Sequence, residues 1–304
     1  MPHGVFNFVT GGGGTAGQEL IDNKDIDGIV FTGSKEVGMK LIRDNATRAI
    51  PRPLVIEMGG KNPALIMKPA DVDKAADGVM RSAFGAQGQK CSACSRVYVT
   101  KAIRDEFVRL LVEKTKTITV GNPLHRDVYL GPVINEDAVK TYERAIAQAK
   151  ADGGKILTGG RRLTDGEFAH GYFVEPTVIA DVDPKGTIAQ EEIFGPVLAI
   201  IKAKDFDDAL RIANDTQFGL TGAVFTDNEE KLDRAREEFF VGNLYLNRKC
   251  TGALVGVHPF GGFNMSGTDS KAGGRDYLGL FLQAKSIARK RKPEPRTVAE
   301  AAAF

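Results

Sequence analysis

The sequence is poor in the residues that build disulfide or zinc scaffolds. Its 304 residues include three cysteines and four histidines. Three cysteines are too few, and odd in number, for a disulfide framework, so a reducing, cytoplasmic setting is expected. A structural zinc usually takes four ligands, and the candidates beyond Cys91 and Cys94 are single and scattered. The composition therefore argues against a metal site.

Other absences exclude whole classes of function. The net charge is +2, from 41 basic and 39 acidic residues, which leaves no electrostatic case for nucleic-acid binding. No apolar run approaches the roughly 18 residues of a membrane-spanning helix, and residues 1–10 lack the features of a signal peptide. With 42% hydrophobic and 26% charged residues, the chain is expected to be globular, with room for two modest domains or one large α/β unit.

Cys91 and Cys94 form a C-x-x-C pair in the segment QGQKCSACSRVYV. Such a pair is compatible with half of a zinc site, a redox disulfide, or one nucleophile with a bystander. A thioredoxin-like pair lies at a helix start directly after a strand. Here residues 72–83 have helical apolar spacing with Asp71 as the predicted N-cap, and the strand RVYV follows the cysteines. A small-residue loop between a helix and a strand favours a nucleophile.

Alternating strands and helices predict a parallel sheet in the first sixty residues. Strands are predicted at 5–9, 28–34 and 53–57, and helices over 11–21 and 35–46. Farther along, apolar spacing predicts a helix over 137–154 that ends at Gly153 or Gly154, and strands around YFVEPTVI and PVLAIIK.

Two glycine-containing turns compete as phosphate sites. Residues 12–17 satisfy the dinucleotide pattern G-x-G-x-x-G, but four consecutive glycines match many patterns by chance, and no acidic residue closes the next strand. A turn leading into a helix is the plainer interpretation. The segment FTGSKEVG places Gly33 and Ser34 at a strand-to-helix turn, where amide N–H groups and the helix dipole favour a phosphate. An ordinary βα turn fits this segment equally well.

Five segments, in this order and spacing, resemble signatures of the aldehyde dehydrogenase superfamily. They are FTGSKEVG, VIEMGGKNP, GAQGQKCSACSR, QEEIFGPVL and PFGGFNMSG. The resemblance extends from about Phe6 to Arg291 and is closest to the branch that oxidises glutamate γ-semialdehyde, formed from 1-pyrroline-5-carboxylate. It implies an α/β fold, with a partial Rossmann-type coenzyme domain and an α/β catalytic domain.

The resemblance also implies a division of the chain. Residues 1–59 and 266–282 are expected to form a partial NAD-binding domain, 60–265 the catalytic domain, 283–292 an oligomerisation strand, and 293–304 a solvated tail. Family members have a further N-terminal part that holds an asparagine of the oxyanion hole. The chain is therefore expected to lack the front of the enzyme, and the full-length form is expected to be a homo-oligomer.

The resemblance implies two catalytic residues. Cys91 matches the nucleophile, which adds to the aldehyde carbon to give a thiohemiacetal that collapses to a thioester as hydride leaves for nicotinamide. Glu57 matches the general base that activates water for thioester hydrolysis. Cys94 and Cys250 match no catalytic position, and each is predicted to be a small buried side chain.

Further matched residues are expected to bind the coenzyme, NAD. Gly33 and Ser34 match the pyrophosphate contact, and Met58 is placed with the coenzyme contacts. Glu192 matches the carboxylate that binds the nicotinamide ribose, and Phe194 matches the residue behind the nicotinamide ring.

The small-molecule aldehyde substrate is expected to lie near NRKCTGALVGVHPFGG. The backbone amides of Gly252 and Ala253 and the hydroxyl of Ser92 match a site for the substrate α-carboxylate. Phe260 matches an aromatic residue that packs on the aliphatic part of the substrate. The expected function is NAD-dependent oxidation of L-glutamate γ-semialdehyde to glutamate in proline catabolism. The alternatives are another semialdehyde dehydrogenase and a catalytically silent fragment.

Overall fold

The computed structural model of the chain describes residues 1–268 and 270–291. Within them, the helices are α1 (Gln18–Asp22), α2 (Lys35–Ala46), α3 (Val72–Phe84), α4 (Lys101–Lys116), α5 (Glu136–Ala151), α6 (Thr187–Gln190), α7 (Phe206–Asn214) and α8 (Glu229–Glu238). The strands are β1 (Ile29–Thr32), β2 (Leu54–Glu57), β3 (Asn62–Ile66), β4 (Cys94–Thr100), β5 (Lys155–Thr158), β6 (Arg162–Leu163), β7 (Phe173–Val174), β8 (Thr177–Ala180), β9 (Val197–Ala203), β10 (Phe218–Gly219), β11 (Thr221–Phe225), β12 (Asn243–Leu246) and β13 (Phe263–Asn264).

The main sheet has seven strands in the order β12-β11-β3-β4-β9-β8-β5. Adjacent strands in this sheet run parallel to each other, except that β5 is antiparallel to β8. Side chains alternate between faces, so Val97 and Val99 pack in the core under α3 and α4, whereas Tyr98 packs in the core under α7 and α8. Both faces are therefore covered, as a parallel sheet requires.

A second, two-stranded sheet is formed by β1 and β2, which run parallel with Thr32 opposite Glu57. Helix α2 covers it, and its buried core consists of Leu41, Ile56 and Met58. The predicted helix over 35–46 is confirmed at both ends, and the predicted strands at 28–34 and 53–57 are confirmed with shorter bounds.

Residues 266–268 return to this small sheet and lie antiparallel beside β2. The Met58 N–H donates to the Ser266 carbonyl oxygen at 2.8 Å, and the Thr268 N–H donates to the Ile56 carbonyl oxygen at 2.9 Å. Chain from the far end of the sequence thus supports the carboxyl end of β2. The division into two domains stays a prediction.

Several helix boundaries follow from local signals in the sequence. The Asp71 carboxylate accepts a hydrogen bond from the Lys74 N–H at 3.0 Å, which confirms the predicted N-cap of α3. Helix α5 buries the stripe of apolar side chains that predicted it. It ends where Gly153 adopts a positive φ of 81°, a conformation that glycine permits.

The predicted strand at 5–9 is wrong. These residues form no regular element, and Phe6 and Phe8 are 77% and 83% exposed. A strand needs a neighbour for its backbone N–H and C=O groups, and among the described residues β1 pairs only with β2. Without a preceding strand, the glycine run forms a π-helical turn at Gly13–Gly17 that leads into α1. The interpretation of residues 12–17 as a turn into a helix therefore holds.

The C-terminal segment has no regular structure in the single chain. Residues 283–291 are exposed and form no strand, and residues 292–304, which include the predicted tail, lie outside the described residues. Pairing of this segment between subunits stays a prediction. Among the described residues, no helix combines the length and apolar character needed to cross a membrane.

Candidate active site

Cys91 lies in the predicted loop between α3 and β4. The loop begins with a run of positive φ angles at Ala86, Gln87 and Gly88. At Gly88 a Cβ atom would lie 2.3 Å from the Gly195 carbonyl oxygen, so only glycine allows this close approach. The approach packs the loop of Cys91 against the turn that carries Phe194. Cys91 itself is a free, partly exposed cysteine.

The surroundings of Cys91 disfavour a permanent thiolate. Burial raises the pKa of the Cys91 thiol, while the Ser92 N–H beside the sulfur opposes this shift by stabilising the thiolate. The carboxylates of Glu192 and Glu57 raise the pKa further, because like charges repel. The sulfur is therefore held mainly as a thiol at neutral pH, with one backbone donor directed at it and two carboxylates near it.

Glu57 ends β2, and its carboxylate lies against backbone from the C-terminal part of the chain. A Cβ atom on Gly261 would lie 2.9 Å from Glu57 Oε1, and one on Gly267 would lie 3.2 Å from it. Both glycines thus leave room for the carboxylate. The Glu57 carboxylate also acts electrostatically on the Cys91 thiol, whose pKa it raises.

Glu192 reaches the glycine pair that follows β2. Its Oε1 accepts a hydrogen bond from the Gly60 N–H at 2.9 Å, and a Cβ on Gly59 would lie 1.9 Å from its Oε2. Burial raises the pKa of Glu192, and the Gly60 N–H and the Lys61 ammonium counteract the shift. Burial, with the nearby Arg96 charge, lowers the pKa of Lys61 to about 7. Phe194 follows with a positive φ of 53° and is 46% exposed.

The predicted phosphate turn is continuous with this site. The Ser34 hydroxyl oxygen accepts a hydrogen bond from the Val37 N–H at 3.3 Å and so caps α2 at its exposed N-terminus. The Gly33 N–H donates to the Glu57 carbonyl oxygen at 3.1 Å. The Met58 side chain is buried, since a Cβ on Gly38 would lie 2.6 Å from its sulfur. Any contact of Met58 with a coenzyme must therefore come from its backbone.

Two of the predicted substrate residues, Gly252 and Ala253, lie in a segment that contacts the loop of Cys91. Cys250 donates its thiol hydrogen to the Ser92 carbonyl oxygen at 3.5 Å, which joins the loop of Gly252 and Ala253 to the nucleophile loop. Gly252 has a positive φ of 88°. Phe260 forms an antiparallel bridge with Ala272 and immediately precedes the glycine beside Glu57. The segment of Gly252 and Ala253 thus contacts the loop of Cys91, and the segment of Phe260 contacts Glu57.

The partner of Cys94 is Cys250, not Cys91. Cys94 and Cys250 are 2% and 1% exposed, which confirms the predicted burial of both. The Cys94 thiol donates to the Arg96 carbonyl oxygen at 3.4 Å, and the interaction between the two neighbouring thiols raises the pKa of Cys94 and lowers that of Cys250. They are therefore more than apolar filling. No group of three metal-ligating side chains occurs within 1–268 and 270–291.

Sequence reasoning missed Asn62 and Lys61, which are both 2% exposed. Asn62 binds the backbone of the nucleophile loop, and Lys61 lies near the Glu192 carboxylate. The only signal for them was polarity at the start of a strand that is otherwise fully buried.

Comparison with known proteins agrees with this geometry. The model of the aldehyde dehydrogenase family matches residues 1–287. The chain is 50% identical over 293 residues to 1-pyrroline-5-carboxylate dehydrogenase of Anoxybacillus flavithermus, covering 95% of this chain and 56% of the relative. A crystal structure of 1-pyrroline-5-carboxylate dehydrogenase from Thermus with bound NAD is 45% identical, with a TM-score of 0.88 over 93% of this chain and 55% of that one.

A more distant structure shows the same fold. Betaine aldehyde dehydrogenase from Staphylococcus aureus in complex with NAD⁺ is 32% identical, with a TM-score of 0.88 over 95% of this chain and 58% of that one. The chain spans about half the length of the curated relatives it matches. It belongs to the aldehyde dehydrogenase family.

Proposed function

We propose that the chain carries the catalytic residues of an NAD-dependent dehydrogenase that oxidises L-glutamate γ-semialdehyde to glutamate. The observation that carries the proposal is the approach of the Glu192 carboxylate and the Cys91 backbone to the glycine pair that follows Glu57. This choice of substrate is supported by a relative that is 50% identical and is named 1-pyrroline-5-carboxylate dehydrogenase. The setting is cytoplasmic in this proposal, in keeping with three free cysteines.

Cys91 acts as the nucleophile. Its thiol loses a proton as the sulfur adds to the aldehyde carbon, and the Ser92 N–H stabilises negative charge on the sulfur. Because burial favours the thiol form, the thiolate is generated for the reaction rather than stored. The thiol proton passes to the carbonyl oxygen, which gives a thiohemiacetal. Loss of its hydride, which a bound coenzyme would accept, and of its hydroxyl proton to water leaves a thioester on Cys91.

Glu57 acts in the second half of the reaction. Its carboxylate acts electrostatically on the Cys91 thiol, and in this proposal it activates a water molecule for attack on the thioester. Glu57 takes a proton from this water as it attacks the thioester carbon, and the Cys91 sulfur departs as the leaving group. The proton on Glu57 then passes to the departing sulfur, which restores the Cys91 thiol and the Glu57 carboxylate, and glutamate is released.

The residues present fit a dinucleotide. The exposed N-terminus of α2, with Gly33 and Ser34, presents amide N–H groups suited to a pyrophosphate. The Glu192 carboxylate suits ribose hydroxyls, and the exposed Phe194 ring suits one face of a nicotinamide. The backbone of Met58, which follows Glu57 in the chain, is assigned a coenzyme contact in this proposal. When bound, NAD⁺ supplies the acceptor for the hydride.

The α-carboxylate of the substrate is held by the Ser92 hydroxyl and by the amides of Gly252 and Ala253. The hydrogen bond between Cys250 and the Ser92 backbone supports this assignment, because it brings the two segments together. Phe260 packs on the aliphatic part of the substrate. No charged partner is needed where several N–H donors meet a carboxylate.

The experiment compares Ser92→Ala with the unchanged protein in a fusion that supplies the remaining N-terminal length of a relative. Loss of one charge-assisted hydrogen bond should lower kcat/KM for glutamate γ-semialdehyde roughly ten- to a hundredfold. Butanal, which has no carboxylate, should be oxidised at a nearly unchanged rate. Ser95→Ala is the matched control, since the buried Ser95 hydroxyl has no hydrogen-bond partner among the described residues. Equal losses for both aldehydes would leave an aldehyde dehydrogenase with another substrate.

The full-length form is a homo-oligomer in this proposal, joined through residues 283–292. Support comes from Ile287, an apolar side chain that is 82% exposed in the single chain. Sedimentation of the fusion should show a multimer that Ile287→Asp dissociates. An unchanged sedimentation coefficient would contradict the role of this segment.

A further inference from the structure

Asn62 binds the loop that carries Cys91. It is the first residue of β3 and is 2% exposed. Its Nδ2 donates to the carbonyl oxygens of Cys91 at 2.7 Å and Ala93 at 2.8 Å, and its Oδ1 accepts from the Thr221 N–H at 3.0 Å. One buried amide thus joins three segments of the chain, and both of its N–H groups are used on the nucleophile loop.

The local sequence explains why a side chain takes this role. The parallel pairing of β3 with β4 is irregular here, because Asn62 pairs with Cys94 whereas Pro63 pairs with Arg96. Proline has no backbone N–H and cannot donate to the neighbouring strand. The Asn62 amide therefore supplies the donors that a regular ladder would have provided to the carbonyl groups of the loop.

These hydrogen bonds act on the same peptide unit that faces the sulfur. The Cys91 carbonyl and the Ser92 N–H belong to one planar trans peptide, in which the two groups point in opposite directions. Asn62 holds the carbonyl end of that peptide, and the Ser92 N–H at its other end is the backbone donor beside the Cys91 sulfur. Rotation of the carbonyl away from Asn62 would turn the N–H away from the sulfur.

We propose that Asn62 is a positioning residue that orients the peptide between Cys91 and Ser92 so that its N–H faces the nucleophilic sulfur. Its importance for turnover rests on the proposed function of Cys91. The orientation itself does not, because the reactivity of the thiol can be measured without substrate or coenzyme. The hydrogen bond to Ala93 holds the loop from its other side.

The test is the pH dependence of Cys91 alkylation by iodoacetamide in the chain itself, followed by mass spectrometry of the Cys91 peptide. Asn62→Leu keeps the branched shape of the side chain, adds no charge and removes both donors. The midpoint of alkylation should rise by about one pH unit, with roughly tenfold slower reaction at pH 7. Asn214→Leu is the matched control, since the Asn214 amide also joins backbone groups, those of Glu238 and Phe240, and does not touch the loop.

The two variants separate positioning from structural support. Asn214→Leu should lower the melting temperature and leave the midpoint of Cys91 alkylation unchanged. If Asn62→Leu does not fold, Asn62→Ser retains one short donor and should give a smaller rise in the midpoint. A midpoint equal to that of the unchanged chain in a folded Asn62 variant would overturn the proposal, whatever the melting temperature. A loss of NADH production without a shifted midpoint would likewise count against it.

Discussion

The seven-stranded sheet and the sheet of β1 and β2 differ in how completely they are buried. The central strands β3 and β9 of the seven-stranded sheet are buried along almost their whole length, between two helical layers. In the two-stranded sheet, β1 has no fully buried residue, and Val30 is 53% exposed. The first sheet has a complete core, whereas the second has only the few buried side chains under α2.

The two candidate catalytic residues come from these two differently buried regions. Cys91 comes from the loop before β4, in the well-packed part, whereas Glu57 ends β2, in the part with little core. Ser266 joins the two, because its hydroxyl donates to the Gly59 carbonyl oxygen at 2.7 Å and accepts from the Gly219 N–H at 3.0 Å. The loop of Cys91 thus adjoins the complete core of the main sheet. The segment that follows Glu57 is held by the hydrogen bond between Gly59 and Ser266.

The largest expected effect is that of Cys91→Ala on turnover. NADH production by the fusion should fall by about 10⁴-fold or more, because the covalent route is lost. Cys94→Ala and Cys250→Ala should keep most of the activity and lower the melting temperature instead, since both thiols are buried in the core of the main sheet. Comparable losses of activity at Cys91 and Cys94 would revive the interpretation of C-x-x-C as a working pair.

The second-largest expected effect is that of Glu57→Gln, which tests the role of the residue that the small sheet contributes. Glu57→Gln should slow thioester hydrolysis by roughly 10²- to 10³-fold while leaving a burst of NADH, so that acyl-enzyme accumulates on Cys91. Mass spectrometry of the protein after rapid quenching should detect the acyl group. Loss of the burst, with normal alkylation of Cys91, would assign Glu57 to the first half-reaction.

Much of the local structure was predictable where the signal was local. The alternation of strands and helices, with a glycine turn before residues 35–46, predicted α2 to the residue. The prediction of a strand at 5–9 was wrong, because a run of apolar residues forms a strand only when a neighbouring strand exists, and that information is not local. Strand register shows the same limit, since the irregular pairing at Pro63 depends on contact with β4.

The residues of the candidate site likewise fall into those that a local motif reveals and those that only long-range contacts reveal. Cys91 and Glu57 stood out through motifs, because their chemistry needs those residue types. Asn62 did not, since an asparagine in a strand has no recognisable role until the loop that it binds is known. The pairing of Cys94 with Cys250 was equally hidden, because 155 residues of chain separate the two cysteines along the sequence. Long-range contacts therefore account for what sequence reasoning missed.

Hydrogen exchange of this chain should sharpen the comparison of the two sheets directly. Backbone amides of β1 and α2 should exchange roughly a hundredfold faster than those of β4 and β9, because few buried contacts oppose local opening of the small sheet. Mass spectrometry of peptic peptides resolves the two regions. Equal protection would mean that the contacts of Ser266 and Thr268 make the two sheets open as one unit.

The smallest expected effect concerns the far edge of the main sheet. Asp181 follows β8 and forms ion pairs with Lys202 at 2.7 Å, and with Arg104 and Lys155 at 3.1 Å each. The ammonium groups of Lys202 and Lys155 lower the pKa of Asp181 to about 2. A carboxyl group whose folded pKa lies below its ordinary value stabilises the fold above that ordinary value, and the contribution is lost as the pH falls toward the folded pKa.

Asp181→Asn should therefore lower the free energy of unfolding by about 1 kcal/mol at pH 7, a modest amount because the lysine partners are mostly exposed. The difference between variant and unchanged chain should shrink between about pH 4 and pH 2, as Asp181 becomes protonated. Urea unfolding at several pH values measures it. Exchange of the β1 and α2 amides should not change, because Asp181 supports only the main sheet. A difference that persists at pH 2 would mean that the side chain acts through packing or hydrogen bonding, not through its charge.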